Sequence, residues 1–121
     1  MEKLKHIKSN KNYEKEAIEY IKEFYKYNSK INGVNEIYKY LDNYDEWLLK
    51  LEKDRNIIPN EEKVPSETFF LLREKDNKII GIINIRLALN EKLKKFGGHI
   101  GYSIRPTERR KGHNIVNLYL D

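Results

Sequence analysis

Cysteine is absent from the 121-residue chain. Its absence excludes disulfides, a thiol nucleophile and thiolate metal sites together. No window approaches the run of about 18 apolar residues that a membrane span requires. The opening residues, MEKLKHIKSNKNYEKE, have no apolar segment of the kind a secretory signal carries. These two absences point to a cytoplasmic protein with no membrane partner. The three histidines, His6, His99 and His113, are too scattered in sequence to propose a metal site. Repeats and low-complexity linkers are missing as well, so residues 1–121 are expected to form a single domain.

Charge, by contrast, is plentiful. Lysine and arginine number 24 against 19 aspartates and glutamates, a formal excess of +5. Most of it alternates in sign along helix-like stretches, the pattern of a solvated face. So small an excess, with no broad basic stripe, argues against nucleic acid as a partner. The asymmetry is local: Arg105, Arg109, Arg110 and Lys111 face only Glu108 within seven residues. A small polyanion bound at one end of the domain suits that pattern better.

The apolar periodicity changes near Pro59, which divides a helical portion, 1–58, from a strand-rich portion, 64–121. Between Glu14 and Asn28, residues Ala17, Ile18, Ile21, Phe24 and Tyr25 recur at helical spacing. SKINGVN then reads as a loop pivoting on Gly33. A second stripe, Ile37, Leu41, Tyr44, Leu48 and Leu51, runs from Glu36 to Arg55, with Asp42-Asn43 breaking it before a main helix near Tyr44. After Pro65 the period shortens. TFFLLRE and KIIGIINIRL are nearly continuous apolar runs joined by KDNK, a hairpin pattern. HIGYSIRP follows a polar connection, with Ile100, Tyr102 and Ile104 on one face and His99, Gly101, Ser103 and Arg105 on the other. Consecutive antiparallel strands are therefore expected over 68–74, 79–87 and 98–105. The order is two helices and then a three-stranded sheet, an α+β fold.

After the last strand, RPTERRKG places cationic side chains beside a glycine. Unsatisfied backbone N–H groups in such a loop, with a helix able to start after it, suit a phosphate. A solvated basic loop would have the same composition. What separates the two is context: HIGYSIRP joined to ERRKG resembles the GNAT acetyltransferase superfamily, in particular a bacterial branch in which an IGY-type strand leads through RP into an arginine-rich glycine loop. The resemblance covers roughly Val64 to Gly112 well and the two helices more loosely.

The resemblance implies transfer of an acetyl group from acetyl-CoA to an amine of a small molecule or peptide. Its acetyl-CoA loop falls on Arg109, Arg110, Lys111, Gly112, His113 and Asn114, and the amides of 110–114 would hold the pyrophosphate. The pantetheine arm would pair with the open strand edge at Tyr102, Ser103 and Ile104, where a backbone N–H polarises the thioester carbonyl. Direct attack by the amine needs no protein nucleophile, which agrees with the missing cysteine. Two roles stay open for His99, general base or hydrogen-bonded structural residue. Ser103 either orders a water or caps the strand. Tyr25, Tyr38, Tyr40 and Tyr44 would either line an acceptor groove between the helices or pack into core and surface.

Two departures from the family pattern stand out. Asn114 occupies a position where the family has glycine or alanine. The family fold also continues after this loop for about 50 to 60 residues, by ordinary element and loop lengths. The chain is therefore expected to be the GNAT-like N-terminal portion with the C-terminal half of the fold missing. An exposed strand edge would then favour a homo-oligomer. The alternative to an acetyltransferase is a catalytically incomplete remnant serving as a self-associating or partner-binding module.

Overall fold

A computed structural model describes residues 3–60, 63–87 and 100–109. Among them, four strands form one antiparallel sheet in the order β1-β2-β3-β4, so each strand pairs with its neighbour in sequence. Two helices cover one face. The fold class is α+β.

The expected strands are present, β2 at Ser66–Arg73 and β3 at Lys78–Arg86 with slightly shifted ends, and β4 at Ile100–Ile104, where residues 98 and 99 of the expected strand lie outside the described residues. The sheet has four strands rather than three. The extra one, β1 at Leu4–Lys8, lies in the portion expected to be helical and pairs antiparallel with β2 from Leu4↔Arg73 to Lys8↔Phe69. Its sequence, LKHIK, is short and two-fifths lysine, which hides a strand in any apolar count. Lysines on a border strand also discourage pairing with other chains.

Helix α1 spans Glu14–Lys26 and buries Ala17, Tyr20, Ile21 and Phe24. Tyr25, expected in this stripe, is exposed, and Tyr20 takes its place in the core. Glu14 and Glu16 in the first turn complement the positive helix end. Helix α2 spans Tyr44–Arg55, and the break at Asp42-Asn43 falls where the sequence put it. Asn43 caps it, its side-chain oxygen accepting from the Glu46 N–H at 3.2 Å. Tyr44, Trp47 and Leu51 face inward. The Trp47 ring stacks on Phe70 of β2 at 6.1 Å, and Phe24, Leu72, Ile79 and Ile82 belong to the same core.

Side chains alternate across the sheet. Phe70, Leu72, Ile79 and Ile82 point toward the helices, whereas Leu71, Ile80 and Ile104 cluster with Leu4 on the opposite face. One irregularity interrupts β2–β3 pairing. Leu71 pairs with Gly81 but Leu72 with Ile79, leaving Ile80 as the extra residue of a β-bulge. A bulge leaves backbone groups outside the ladder, and here side chains satisfy them. Glu16 Oε1 accepts from the Ile79 N–H at 3.1 Å, and Arg105 Nε donates to the Ile79 carbonyl at 2.8 Å. The bulge thus joins β3 to α1 and to the end of β4.

Candidate functional site

The end of β4 is fastened to α1. Arg105 is 4% exposed. Its guanidinium donates to Glu16 Oε1 at 2.6 Å and Glu23 Oε1 at 3.3 Å, and lies over the Tyr20 ring. Burial pushes the Glu16 carboxyl above its usual range, against the pull of Arg105 and the Ile79 N–H. Glu23 also receives the Thr107 N–H at 3.0 Å and the Thr107 hydroxyl at 2.9 Å. A short 3-10 turn at Pro106–Glu108 follows, with proline at its start where no N–H is needed. Glu108 accepts from Arg73 at 2.8 Å.

Two of the four clustered cations are therefore committed inside the chain. Arg105 is held by α1. Arg109 lies over the Phe24 ring and donates from Nε to the Ile104 carbonyl at 3.3 Å and from an Nη to the Ser29 hydroxyl at 2.6 Å. Apart from the Ile104 carbonyl, their counterparts come from positions far away in sequence, which a seven-residue window does not see. Arg110, Lys111, Gly112, His113 and Asn114, expected to hold the pyrophosphate, lie outside the described residues, as does His99.

Tyr102, Ser103 and Ile104 stand in β4. The Arg105 N–H donates to the Ile80 carbonyl at 2.8 Å, which sets the phase of the antiparallel ladder. With Ser103 opposite Ile82 and Gly101 opposite Asn84, those residues turn their backbone groups toward β3. Tyr102 and Ile104 turn theirs away. The Ser103 side chain faces α1, where its hydroxyl meets the Tyr20 hydroxyl at 2.8 Å. Both groups are buried, and burial holds the Tyr20 hydroxyl neutral, far above its usual range.

Beside β4 lies a cleft of about 400 Å³. Asn84 and Arg86 of β3 and Ile100 and Gly101 of β4 form its floor, the loop 31–36 its wall, and Tyr38 its rim. The loop is seated tightly. At Gly33, φ is +67°, and an added Cβ would stand 2.3 Å from the Tyr102 nitrogen and 2.5 Å from the Gly101 carbonyl carbon. Asn35 and Glu36 also take left-handed conformations, with φ of 49° and 60°. Trp47 Nε1 donates to the Asn35 carbonyl at 2.9 Å, pinning the loop to α2.

Of the four tyrosines considered for an acceptor groove, only Tyr38 lines this cleft. Tyr44 is core, its hydroxyl donating to the Asn10 carbonyl at 2.7 Å. Tyr40 packs partly buried against the core, and Tyr25 is exposed on α1. Asn84, Arg86 and the Asn35 loop carried no motif that marked them in the sequence. Their polarity within or beside apolar strands was the available signal. Among the described residues no group of three His, Asp or Glu side chains is placed to hold a metal ion, and no helix is long and apolar enough to cross a membrane. No family model, curated protein or solved structure matches the chain.

Proposed function

We propose that the chain is an acetyltransferase-family domain that passes an acetyl group from acetyl-CoA to an amine. The observation that carries this reading is the direction of the Tyr102 backbone. Its N–H and C=O point away from β3, at the edge where the GNAT resemblance lays the pantetheine arm, and the cleft opens one residue away at Gly101. A thioester carbonyl that reached that edge beside Gly33, which packs against the Tyr102 nitrogen, would receive a fixed backbone donor, and donors fixed before the reaction stabilise developing oxyanion charge best. The amine nitrogen attacks the carbonyl carbon, the C–S bond breaks, and the thiolate of CoA leaves. The amine proton passes to a base, for which His99 is the candidate.

Support also comes from the rigid junction between β4 and the basic turn. Arg105, Glu16, Glu23 and Thr107 hold the turn against α1, so the segment Arg110–Asn114 departs from a fixed point. In this reading its amides and cations receive the pyrophosphate. The test is turnover: thiol release from acetyl-CoA in the presence of a panel of amines, with mass spectrometry of the acceptor. Amine-dependent thiol release with a matching acetylated product supports the reading. Release that no amine accelerates contradicts it.

A further inference from the structure

The Tyr102 N–H points outward from β4, and no acceptor among the described residues meets it. It is nonetheless covered. A Cβ on Gly33 would stand 2.3 Å from the Tyr102 nitrogen, so the loop backbone itself rests against the donor. Covered N–H groups without a partner are rare in folded chains. The covering stretch is lightly held: residues 30–33 make no hydrogen bond to any described residue, and Ile31 only partly buries its side chain against the core. Its two ends, by contrast, are tied. At the first, the Ser29 N–H donates to the Phe24 carbonyl at 2.9 Å and the Ser29 hydroxyl accepts from Arg109 at 2.6 Å. At the second, Val34 is buried, and Lys50 Nζ donates to Asn35 Oδ1 at 2.5 Å. Asn35 Nδ2 donates to Asp54 Oδ2 at 2.9 Å and to the Thr68 hydroxyl at 3.4 Å, and Thr68 donates on to Asn84 Oδ1 at 2.9 Å. Left-handed residues flank the stretch, Asn28 at φ 50° before it and Asn35 and Glu36 after it. A segment without hydrogen bonds between two fixed ends is where a fold opens locally at low cost.

We propose that residues 29–33 form a lid over the Tyr102 donor, and that the lid lifts before an acyl thioester reaches that donor. The lid itself rests on the contacts above; the identity of what it admits rests on the acetyltransferase reading. Arg109 links the lid to the other end of the cofactor. It holds Ser29, and in that reading it leads into the segment that receives the pyrophosphate. A phosphate is a stronger acceptor for a guanidinium than a hydroxyl is, so it draws Arg109 from Ser29 and loosens the first tie of the lid. Pyrophosphate binding thereby uncovers the donor for the thioester. While closed, the lid also hides part of a strand edge that would otherwise invite pairing with another chain.

The test is amide hydrogen exchange of the full chain, read by NMR without ligand at several low urea concentrations. Ser103, whose backbone faces β3 in the ladder, should exchange slowly and speed up with urea, as amides freed by unfolding do. Tyr102 should exchange at least about tenfold faster than Ser103 yet slower than an exposed amide, and without urea dependence, because lifting the lid exposes little surface. Ser29→Ala removes the Arg109 tie and should speed Tyr102 exchange about fivefold, the factor for one hydrogen bond, still without urea dependence. Acetyl-CoA should bind that variant tighter by the same factor, since apparent affinity follows the open fraction. Tyr102 exchange that tracks Ser103 in rate and urea dependence would overturn the proposal, as would exchange at the rate of a free amide. So would a Tyr102 rate indifferent to Ser29→Ala, or equal acetyl-CoA affinity in parent and variant. Failure of the acetyltransferase reading is separate: neither protein binds acetyl-CoA, while the exchange pattern of the lid is as expected.

Discussion

Replacing Gly33 with alanine tests how the loop 31–36 is seated on β4. The new Cβ would stand 2.3 Å from the Tyr102 nitrogen, 2.5 Å from the Gly101 carbonyl carbon and 2.5 Å from the Tyr102 Cα. Carbon atoms in good contact lie about 3.5 to 4.0 Å apart, so the loop must withdraw by about 1 Å. The obstacles are backbone atoms of a paired strand and have no rotamer to change. A left-handed φ adds about 1–2 kcal/mol for any residue with a Cβ. Withdrawal also weakens the Trp47–Asn35 bond and the Asn35 side-chain network. The sum is about 3 kcal/mol, which lowers the melting temperature by about 10 °C in a domain of this size. Urea denaturation monitored by the fluorescence of Trp47, the chain's single tryptophan, reads both the loss and the local environment. Gly33→Asn separates the two causes, because asparagine tolerates the left-handed region but brings the same Cβ, and should still lose about 2 kcal/mol. Gly101→Ala is the control, since its Cβ would meet Gly33 at an ordinary 3.4 Å. A Gly33→Ala protein within about 0.5 kcal/mol of the parent, the range of an ordinary surface change, would refute the tight seating of the loop.

Two further substitutions probe the charged contacts. Arg105→Met leaves Glu16 and Glu23 facing an apolar side chain and should cost about 3 kcal/mol at pH 7 by urea titration. Burial already raises the Glu16 carboxyl, so the variant should recover part of that loss as the pH falls and Glu16 takes up a proton; an equal loss at pH 7 and pH 5 would contradict the pairing. Asp76 is held below its usual range by Arg73, a depressed folded value whose stabilisation is present above the unfolded carboxylate pKa of about 4 and lost as pH falls through the folded one. Because Asp76 is exposed, Asp76→Asn should cost under about 1 kcal/mol at neutral pH, with no difference from the parent near pH 2; a difference that grows on acidification would reverse the assignment.

The legible parts of the fold were those in which apolar residues carry the pattern. TFFLLRE and KIIGIINIRL announced β2 and β3, because strands covered on both faces read as apolar runs, and HIGYSIRP announced β4 through its alternation. β1 was not legible. LKHIK contributes only Leu4 and Ile7 to the interior, and its pairing partner lies some sixty residues on. Tyr20 and Trp47 entered the core where Tyr25 and Leu48 had the better apparent spacing, since each buried aromatic brings a polar atom that finds a partner, Ser103 and the Asn35 carbonyl. The partners of the basic turn were not legible. Glu16, Glu23 and Ser29 neutralise or engage Arg105 and Arg109 across some eighty positions, and no local charge count reports that. The cleft rests on Asn84 and Asn35, whose meaning depends on Lys50, Asp54 and Thr68 from two other elements.

Acetyl-CoA binding is the most direct test of the central claim. Isothermal titration of the chain with acetyl-CoA should show saturable binding at one site, weakening as salt is raised because the pyrophosphate is held largely by charge and amides. Arg110→Glu should remove that binding while leaving the urea midpoint unchanged. Absence of heat and of thermal stabilisation at millimolar acetyl-CoA, or binding that heparin matches and Arg110→Glu does not alter, would contradict the account.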